Sequence, residues 1–182
     1  MLMFCIIPIF SQETQNNSLE NLFRLNFLSP GLGFDWAVSD KSLISTDLGI
    51  GYSGAFDEIT LIENNGFQYV IAPFIGVQYK LIYNRDKRMK EGKPIAFNSG
   101  NFVSIRVRGR GASIADNVTR TDDVDFLIGP TWGLQRAFGK LHFLVDVGPT
   151  YYFDTLGNSG FFPLNIQVKL GLNLSNKEEK GG

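Results

Sequence analysis

Six long segments of the chain alternate apolar and polar residues with a period of two, and few folds accept that pattern. In 42–54, Ile44, Thr46, Leu48, Ile50 and Tyr52 oppose Ser45, Asp47, Gly49, Gly51 and Ser53. In 67–83, Phe67, Tyr69, Ile71, Pro73, Ile75, Val77, Tyr79, Leu81 and Tyr83 oppose Gln68, Ala72, Gly76, Gln78 and Lys80. In 102–111, Val103, Ile105 and Val107 oppose Ser104, Arg106, Arg108 and Arg110. Phe126, Ile128, Pro130, Trp132 and Leu134 then oppose Asp125, Gly129, Thr131, Gly133 and Gln135. Leu141, Phe143, Val145, Val147, Pro149, Tyr151 and Phe153 oppose His142, Asp146, Gly148 and Thr150. Last, Phe162, Leu164, Ile166, Val168, Leu170, Leu172 and Leu174 oppose Asn165, Gln167, Lys169, Gly171 and Asn173. Successive strand side chains point to opposite faces, so each segment predicts a strand with one apolar face. Each is long enough to cross a bilayer when tilted, whereas no run of 18 apolar residues exists to make a spanning helix.

The connections carry further information. Ser39-Asp40-Lys41 and Gly139-Lys140 read as tight turns, and 55–66, 112–123 and 155–160 as longer loops. The basic stretch 84–100 is a long linker on the short-turn side. In 20–38 the phase reverses: Phe23, Leu25 and Phe27 are odd, whereas Leu32, Phe34, Trp36 and Val38 are even. A turn at Ser29-Pro30-Gly31 gives two strands, 20–28 and 32–39, and eight in all. A bulge there gives seven. Eight is preferred because single-chain bacterial barrels have even strand numbers.

Composition narrows the function classes. The chain has 182 residues and a net charge of −1, which lacks the basic footprint of a general nucleic-acid binder. One Cys rules out a disulfide framework, and one His excludes paired-histidine zinc motifs. Sixteen Phe and 20 Gly favour closely stacked strands over helices.

Alternation alone does not say which face meets solvent. The polar face carries Gly49, Gly51, Gly76, Gly129, Gly133, Gly148 and Gly171, small residues that the crowded interior of a small barrel needs. The apolar face carries Pro73, Pro130 and Pro149, with aromatics near strand ends: Trp36, Tyr52, Phe67, Tyr83, Phe138, Phe143, Phe153 and Phe162. Aromatic rings at both rims are the pattern of a membrane-interface girdle. The polar face also holds opposite charges, Arg24, Lys80, Arg106, Arg108, Arg110 and Lys169 against Asp35, Asp47, Asp125 and Asp146. The resulting expectation is an all-β fold, a closed antiparallel up-and-down transmembrane barrel of eight strands (seven clearly visible), with apolar residues outward and a charge network in its lumen.

The chain's start and end read as processing and tail segments. Residues 2–10 are apolar and Ser11-Gln12-Glu13 follow at once, so 1–11 is read as a signal peptide lacking the usual basic start. Residues 12–19 are a polar leader, 20–174 the barrel and 175–182 a periplasmic tail. Cys5 would be lost on cleavage.

Over 20–174 the chain resembles the eight-stranded outer-membrane β-barrel family of Gram-negative bacteria, the OmpA/OmpX/OmpW type. The resemblance rests on the strand pattern and on Gly31-Leu32-Gly33-Phe34-Asp35-Trp36-Ala37-Val38 turning at Ser39-Asp40-Lys41 into Leu43–Tyr52. It rests also on Asn98-Ser99-Gly100-Asn101-Phe102 leading a strand. It implies export, an outer-membrane location, and outer-membrane lipids, lipopolysaccharide and the assembly machinery as partners. Such barrels usually end on an aromatic residue, whereas this last strand ends Leu172-Asn173-Leu174 before an eight-residue tail. A soluble lipocalin-like barrel is the competing fold, but Gly33-Phe34-Asp35-Trp36 does not match that family's glycine–tryptophan spacing.

Chemistry is sparse. His142, the sole His, sits on the polar face at the periplasmic end, away from an outer-leaflet substrate. A lumen histidine hydrogen-bonded to its neighbours is therefore favoured over the base of a lipid hydrolase. Arg106, Arg108 and Arg110 form a ladder whose alternatives are an anion-attracting pore and a salt-bridge network with Asp47, Asp125 and Asp146. The network is favoured, because an eight-stranded interior is only just wide enough for its own side chains. The charge run 85–93 reads as a solvated turn over a headgroup contact. The loop acids Asp57, Glu58, Glu63, Asp122 and Asp123, and the sequon Asn117-Val118-Thr119, carry no firm assignment. The expected function is non-enzymatic, without cofactor or metal: a monomeric structural or surface-interaction barrel. A narrow solute channel and a soluble ligand-binding barrel are the alternatives.

Overall fold

A computed structural model describes residues 18–55, 68–117 and 122–174. The expected signal peptide 1–11, tail 175–182, Asp57, Glu58, Glu63, Phe67, Val118 and Thr119 lie outside the described residues, as does the Tyr52 side chain. No described helix is long and apolar enough to span a membrane.

The strands are β1 (Leu22–Asn26), β2 (Gly31–Ala37), β3 (Ser42–Ala55), β4 (Gln68–Ile82), β5 (Gly100–Arg110), β6 (Ala115–Asp116), β7 (Asp125–Phe138), β8 (Leu141–Asp154) and β9 (Ser159–Asn173). One short helix, α1 (Arg85–Lys90), lies between β4 and β5. All pairings are antiparallel. Eight strands close into a ring, β1-β2-β3-β4-β5-β7-β8-β9 and back to β1, while the two-residue β6 pairs with β4 beside the ring. The closing β1–β9 ladder is short, Arg24 to Asn26 against Asn173 to Gly171. It is prolonged by Phe27 N–H donating to Leu170 O at 2.7 Å and Leu174 N–H to Phe23 O at 2.7 Å.

Phe27–Pro30 is a turn joining β1 to β2, which settles the phase reversal as eight strands in the ring. One expected loop length is corrected. The connection read as a loop over 155–160 is a four-residue turn, 155–158, with Gly157 at φ +93°. The end of the ring expected to carry long loops therefore has two tight turns (27–30 and 155–158), so loop length separates the two ends less sharply than the sequence implied. A second departure lies in β9. A register shift opposite Gly148/Thr150 exposes both Phe161 and Phe162, where strict alternation hides one of them. Pro130 and Pro149 sit at this level and have no N–H to give to the β7–β8 ladder.

Burial is inverted relative to a water-soluble barrel. Leu48 (60%), Ile75 (60%), Ile105 (57%) and Ile166 (62%) are exposed on the outer face. Arg24, Asp35, Asp47, Lys80, Arg106, Asp125, Asp146 and Lys169 are buried on the inner one. Inside, the packing tolerates nothing bulkier than glycine at some positions. A Cβ on Gly133 would fall 2.7 Å from the Phe102 ring and 2.6 Å from Val145 O.

The apolar core is small and lies at the end of the ring where both described termini emerge. Leu19, Leu43, Ile82, Phe102 and Leu144 pack together there, with Ala37 against them. Leu19, expected in the polar leader, thus belongs to the core. The segment 84–99 folds over this same end, which corrects its reading as a solvated turn. Arg85 and Arg88 are buried on one side of α1, while Lys87, Met89 and Lys90 stay exposed. Arg85 donates to Ile95 O at 2.9 Å and Ser18 O at 3.0 Å, and Arg88 to Pro94 O at 2.8 Å. Phe97 and Asn98 have positive φ, 50° and 59°, a conformation asparagine adopts more readily than most residues. Asn98 is fully buried; its amide donates to Glu20 O and accepts from Glu20 N–H, both at 2.8 Å.

Candidate functional site

The charged interior is the candidate site, and strand register decides which charges meet. Leu22 on β1 lies opposite Asp35 on β2, which brings Arg24 and Asp35 into a buried two-pronged pair with both N···O distances 2.5 Å. Ser45 donates a third bond to Asp35 at 2.5 Å. The planar guanidinium fork matches a carboxylate edge, so this pair fixes orientation as well as charge. Lys169 of β9 pairs with Asp47 of β3, bridging over β1 and β2. Asn26 adds a long contact to Asp47 at 3.4 Å.

Arg106 donates to Asp146 at 2.6 Å, to Gln167 Oε1 at 3.1 Å and to Asn165 at 2.7 Å. Gln78 reaches across from β4 to the same Asp146 at 3.1 Å and to Ser104 at 2.8 Å. Ser104 and Thr131 are 2.6 Å apart. Nearer the end formed by 27–30 and 155–158, Arg110 grips Asp125 with both prongs, at 2.6 and 2.7 Å.

Two cations of the ring interior, Lys80 and Arg108, have no carboxylate partner among the described residues. Lys80 donates to Gln135 Oε1 at 3.1 Å and stands 5.0 Å from the Phe102 ring centroid. Arg108 donates to Gln167 Oε1 at 2.5 Å and stands 4.6 Å from the Phe74 centroid. Both rest on an aromatic face, whose negative centre attracts a cation.

The expected charge network is therefore present with different partners. Arg106 and Arg110 take Asp146 and Asp125, but Asp47 goes to Lys169 and Arg108 takes an amide. Gln78, Gln135, Asn165 and Gln167 are the neutral members that the charge-based reading left out. Their positions on the polar phase of the same strands were the available signal.

His142 is fully buried on the inner face, as expected of a lumen histidine. The expected hydrogen bonds to neighbours are not there: neither ring nitrogen has a partner among the described residues. The aromatic residues divide between the two rims. Trp36, Tyr83 and Phe138 are exposed at the end covered by 84–99, with Phe143 half-buried beside them. Phe153 and Phe162 are exposed towards the opposite end. Trp132 joins the first group, its indole N–H donating to Tyr83 Oη at 2.8 Å. Phe126 stacks on Phe153 with centroids 5.3 Å apart.

Of the loop acids, Asp122 is tied down: Thr155 donates to it from its backbone N–H at 2.8 Å and from its hydroxyl. Those bonds, the hydroxyl first, hold its carboxyl below the ordinary carboxylate range.

The chain matches no protein-family model, no curated protein and no solved structure.

Proposed function

We propose that the chain is an integral outer-membrane protein, an eight-stranded transmembrane β-barrel that acts through structure and surface contact and not through catalysis. The observation that carries this reading is the inverted burial: paired charges inside the ring, and a continuous apolar belt with aromatic rims outside it. Closing the sheet removes the edges that hydrocarbon could not satisfy, which suits a ring of strands to that solvent. The crossing contacts from Gln78 to Asp146 and from Lys80 to Gln135 favour a lumen filled by side chains over an open channel. In this reading the end covered by 84–99, with both described termini, faces the periplasm. The opposite end of the ring, with the turns 27–30 and 155–158, faces outward towards lipopolysaccharide and other surface partners.

Cell fractionation combined with proteolysis of intact cells tests location and orientation together. The expected result is recovery with outer membranes, cleavage within 56–67 or 111–124, and protection of Lys87 and Lys90. Recovery in the soluble fraction overturns the reading, and planar-bilayer conductance of the purified chain would replace it with the channel.

A further inference from the structure

Across the described strands of the ring, the outward phase carries a single charged side chain, Arg136 of β7. It is half-buried, shares its face with Leu134 and Phe138, and opposes Phe143. Its guanidinium donates to Gly100 O at 2.8 Å, Gln135 O at 2.7 Å and Asn101 Oδ1 at 2.6 Å. All three acceptors are neutral, so these bonds fix the group and leave its charge uncompensated. Arg136 has no ion pair among the described residues, and the ionisable groups that act on it are Arg88, itself a cation, and Tyr83. An unmatched charge on an otherwise apolar face calls for a counter-charge.

Register gathers the neighbours of that charge around Asn101. Asn101 opposes Leu134, which Trp132 and Arg136 flank on the same face. On the other side, Tyr83 N–H donates to Asn101 O at 3.2 Å. The Trp132 indole N–H reaches across to Tyr83 Oη at 2.8 Å. Tyr83 therefore accepts at its oxygen and keeps its own proton to donate, and the Arg136 Nε–H has no partner among the described residues. The resulting patch offers donors and one positive charge, and contains no acid. Arg136 lies two residues, about 7 Å of strand, from the end of β7, at the level of the aromatic rim. Beyond the rim, Lys140 and Lys90 are exposed and have no ion pair among the described residues.

We propose that this patch, formed by Arg136, Asn101, Tyr83 and Trp132, binds the phosphodiester of an anionic glycerophospholipid. Arg136 supplies the counter-charge, Asn101 holds it in place, Tyr83 donates its proton to a phosphate oxygen, and Trp132 packs beside the glycerol. A zwitterionic headgroup fits less well: the patch has no carboxylate to receive its ammonium group, and Lys140 and Lys90 repel it. A lipid fits better than a free anion, because the exposed Phe138 and Val103 beside the patch offer its chains an apolar surface. This inference rests on the membrane reading of the outer face and names a lipid class for one point on it.

The test uses the full chain folded into phosphatidylcholine vesicles that contain a small share of brominated phosphatidylglycerol or, in parallel, brominated phosphatidylcholine. Bromine quenches tryptophan on contact, and the two tryptophans provide an internal control. Trp36 is on β2, four strands from β7 either way round the ring, near Lys41 and Asp86, which pair with each other. Trp36→Phe isolates Trp132, and Trp132→Phe isolates Trp36. The expected result is enrichment of phosphatidylglycerol over phosphatidylcholine at Trp132 by about fivefold, the attraction one basic side chain confers, and none at Trp36. In the Trp36→Phe background, Arg136→Gln should abolish the enrichment and Arg136→Lys should retain it, with gel migration checking that each is folded. The comparison of the two lipids at the unmutated patch stays decisive even where Arg136→Gln fails to fold. Equal quenching of Trp132 by both lipids, equal enrichment at both tryptophans, or enrichment that survives Arg136→Gln overturns the inference and leaves the membrane reading standing. Quenching by neither lipid overturns both. Enrichment abolished by inorganic phosphate at constant ionic strength would assign the patch to a free anion and overturn the lipid.

Discussion

Removing Asp35 tests whether the interior is dry. In the structure its carboxylate accepts two bonds from Arg24, one from Ser45 and a long one from Asn98 at 3.5 Å, and both ionic partners are buried, at 0% and 1% exposure. Asp35→Leu strands the Arg24 charge, and such a loss in a dry interior costs about 3 to 5 kcal/mol. Arg24→Met strands Asp35 in the same way. The double variant removes both charges and leaves mainly the Ser45 hydroxyl to be resatisfied, so it should lie within about 2 kcal/mol of the wild type. The two singles and the double therefore define a coupling energy of several kcal/mol, measured by urea unfolding in micelles with the heat-modifiable gel shift as a check of folding. The same pair in a water-filled channel would be screened to about 1 kcal/mol or less. A coupling near zero, with singles that add, refutes the packed interior and favours a hydrated pore.

Three further outcomes follow from the same coordinates. If lipid surrounds the outer face, Ile105→Arg in mid-strand should cost about 2 to 4 kcal/mol in vesicles, and Trp36→Arg at the rim about 1 kcal/mol or less; equal costs argue against a bilayer. The Asp122 carboxyl, lowered by Thr155, favours the folded loop fully above its unfolded pKa, and this contribution is lost as pH falls through the depressed folded value. Thr155→Val should therefore move the Asp122 titration upward in carboxyl-carbon NMR. An unchanged curve contradicts the assignment. Asn98→Ala removes both ties to Glu20 and the residue best suited to φ 59°, so trypsin should cut faster at Lys87 and Lys90 in the otherwise folded chain. Unchanged cleavage kinetics would mean that Arg85, Arg88 and the bond from Gln135 to Asn98 O hold the segment without the Asn98 side chain.

What the sequence disclosed, and what it withheld, has a physical division. Period-two alternation is local, so the strands and the inward position of Arg106, Asp146 and Lys169 could be read directly. Pairing is not local: Lys169 and Asp47 lie 122 residues apart and meet because the ring closes between β1 and β9. Nothing in either strand alone announces that contact. The apolar plug was present as a weak signal, since Leu43, Phe102 and Leu144 interrupt the polar phase at one end of their strands. The 84–99 cover was hidden by composition. Arg85 and Arg88 belong to a run that reads as solvated, yet their spacing of three puts them on one side of a helical turn. The bulge near Gly148 was masked because Phe161-Phe162-Pro163-Leu164 has no alternation to interrupt.

The interior network bears on register more than on total stability. Buried ion pairs roughly break even against their desolvation, so four of them do not account for a stable fold. A slip of one residue, however, would turn an entire strand's inward set outward. At β9 that slip would carry Gln167 and Lys169 to the apolar face. The ladder most exposed to such a slip is the closing one, where three residue pairs join β1 to β9. The Arg24–Asp35 and Lys169–Asp47 pairs anchor β1 and β9 separately to β2 and β3, on either side of that junction. Each holds one strand of the seam at a fixed height, and a slipped closure must break at least one of them. The seam with the fewest backbone pairs is thus where misregistration carries the penalty of an unpaired buried charge.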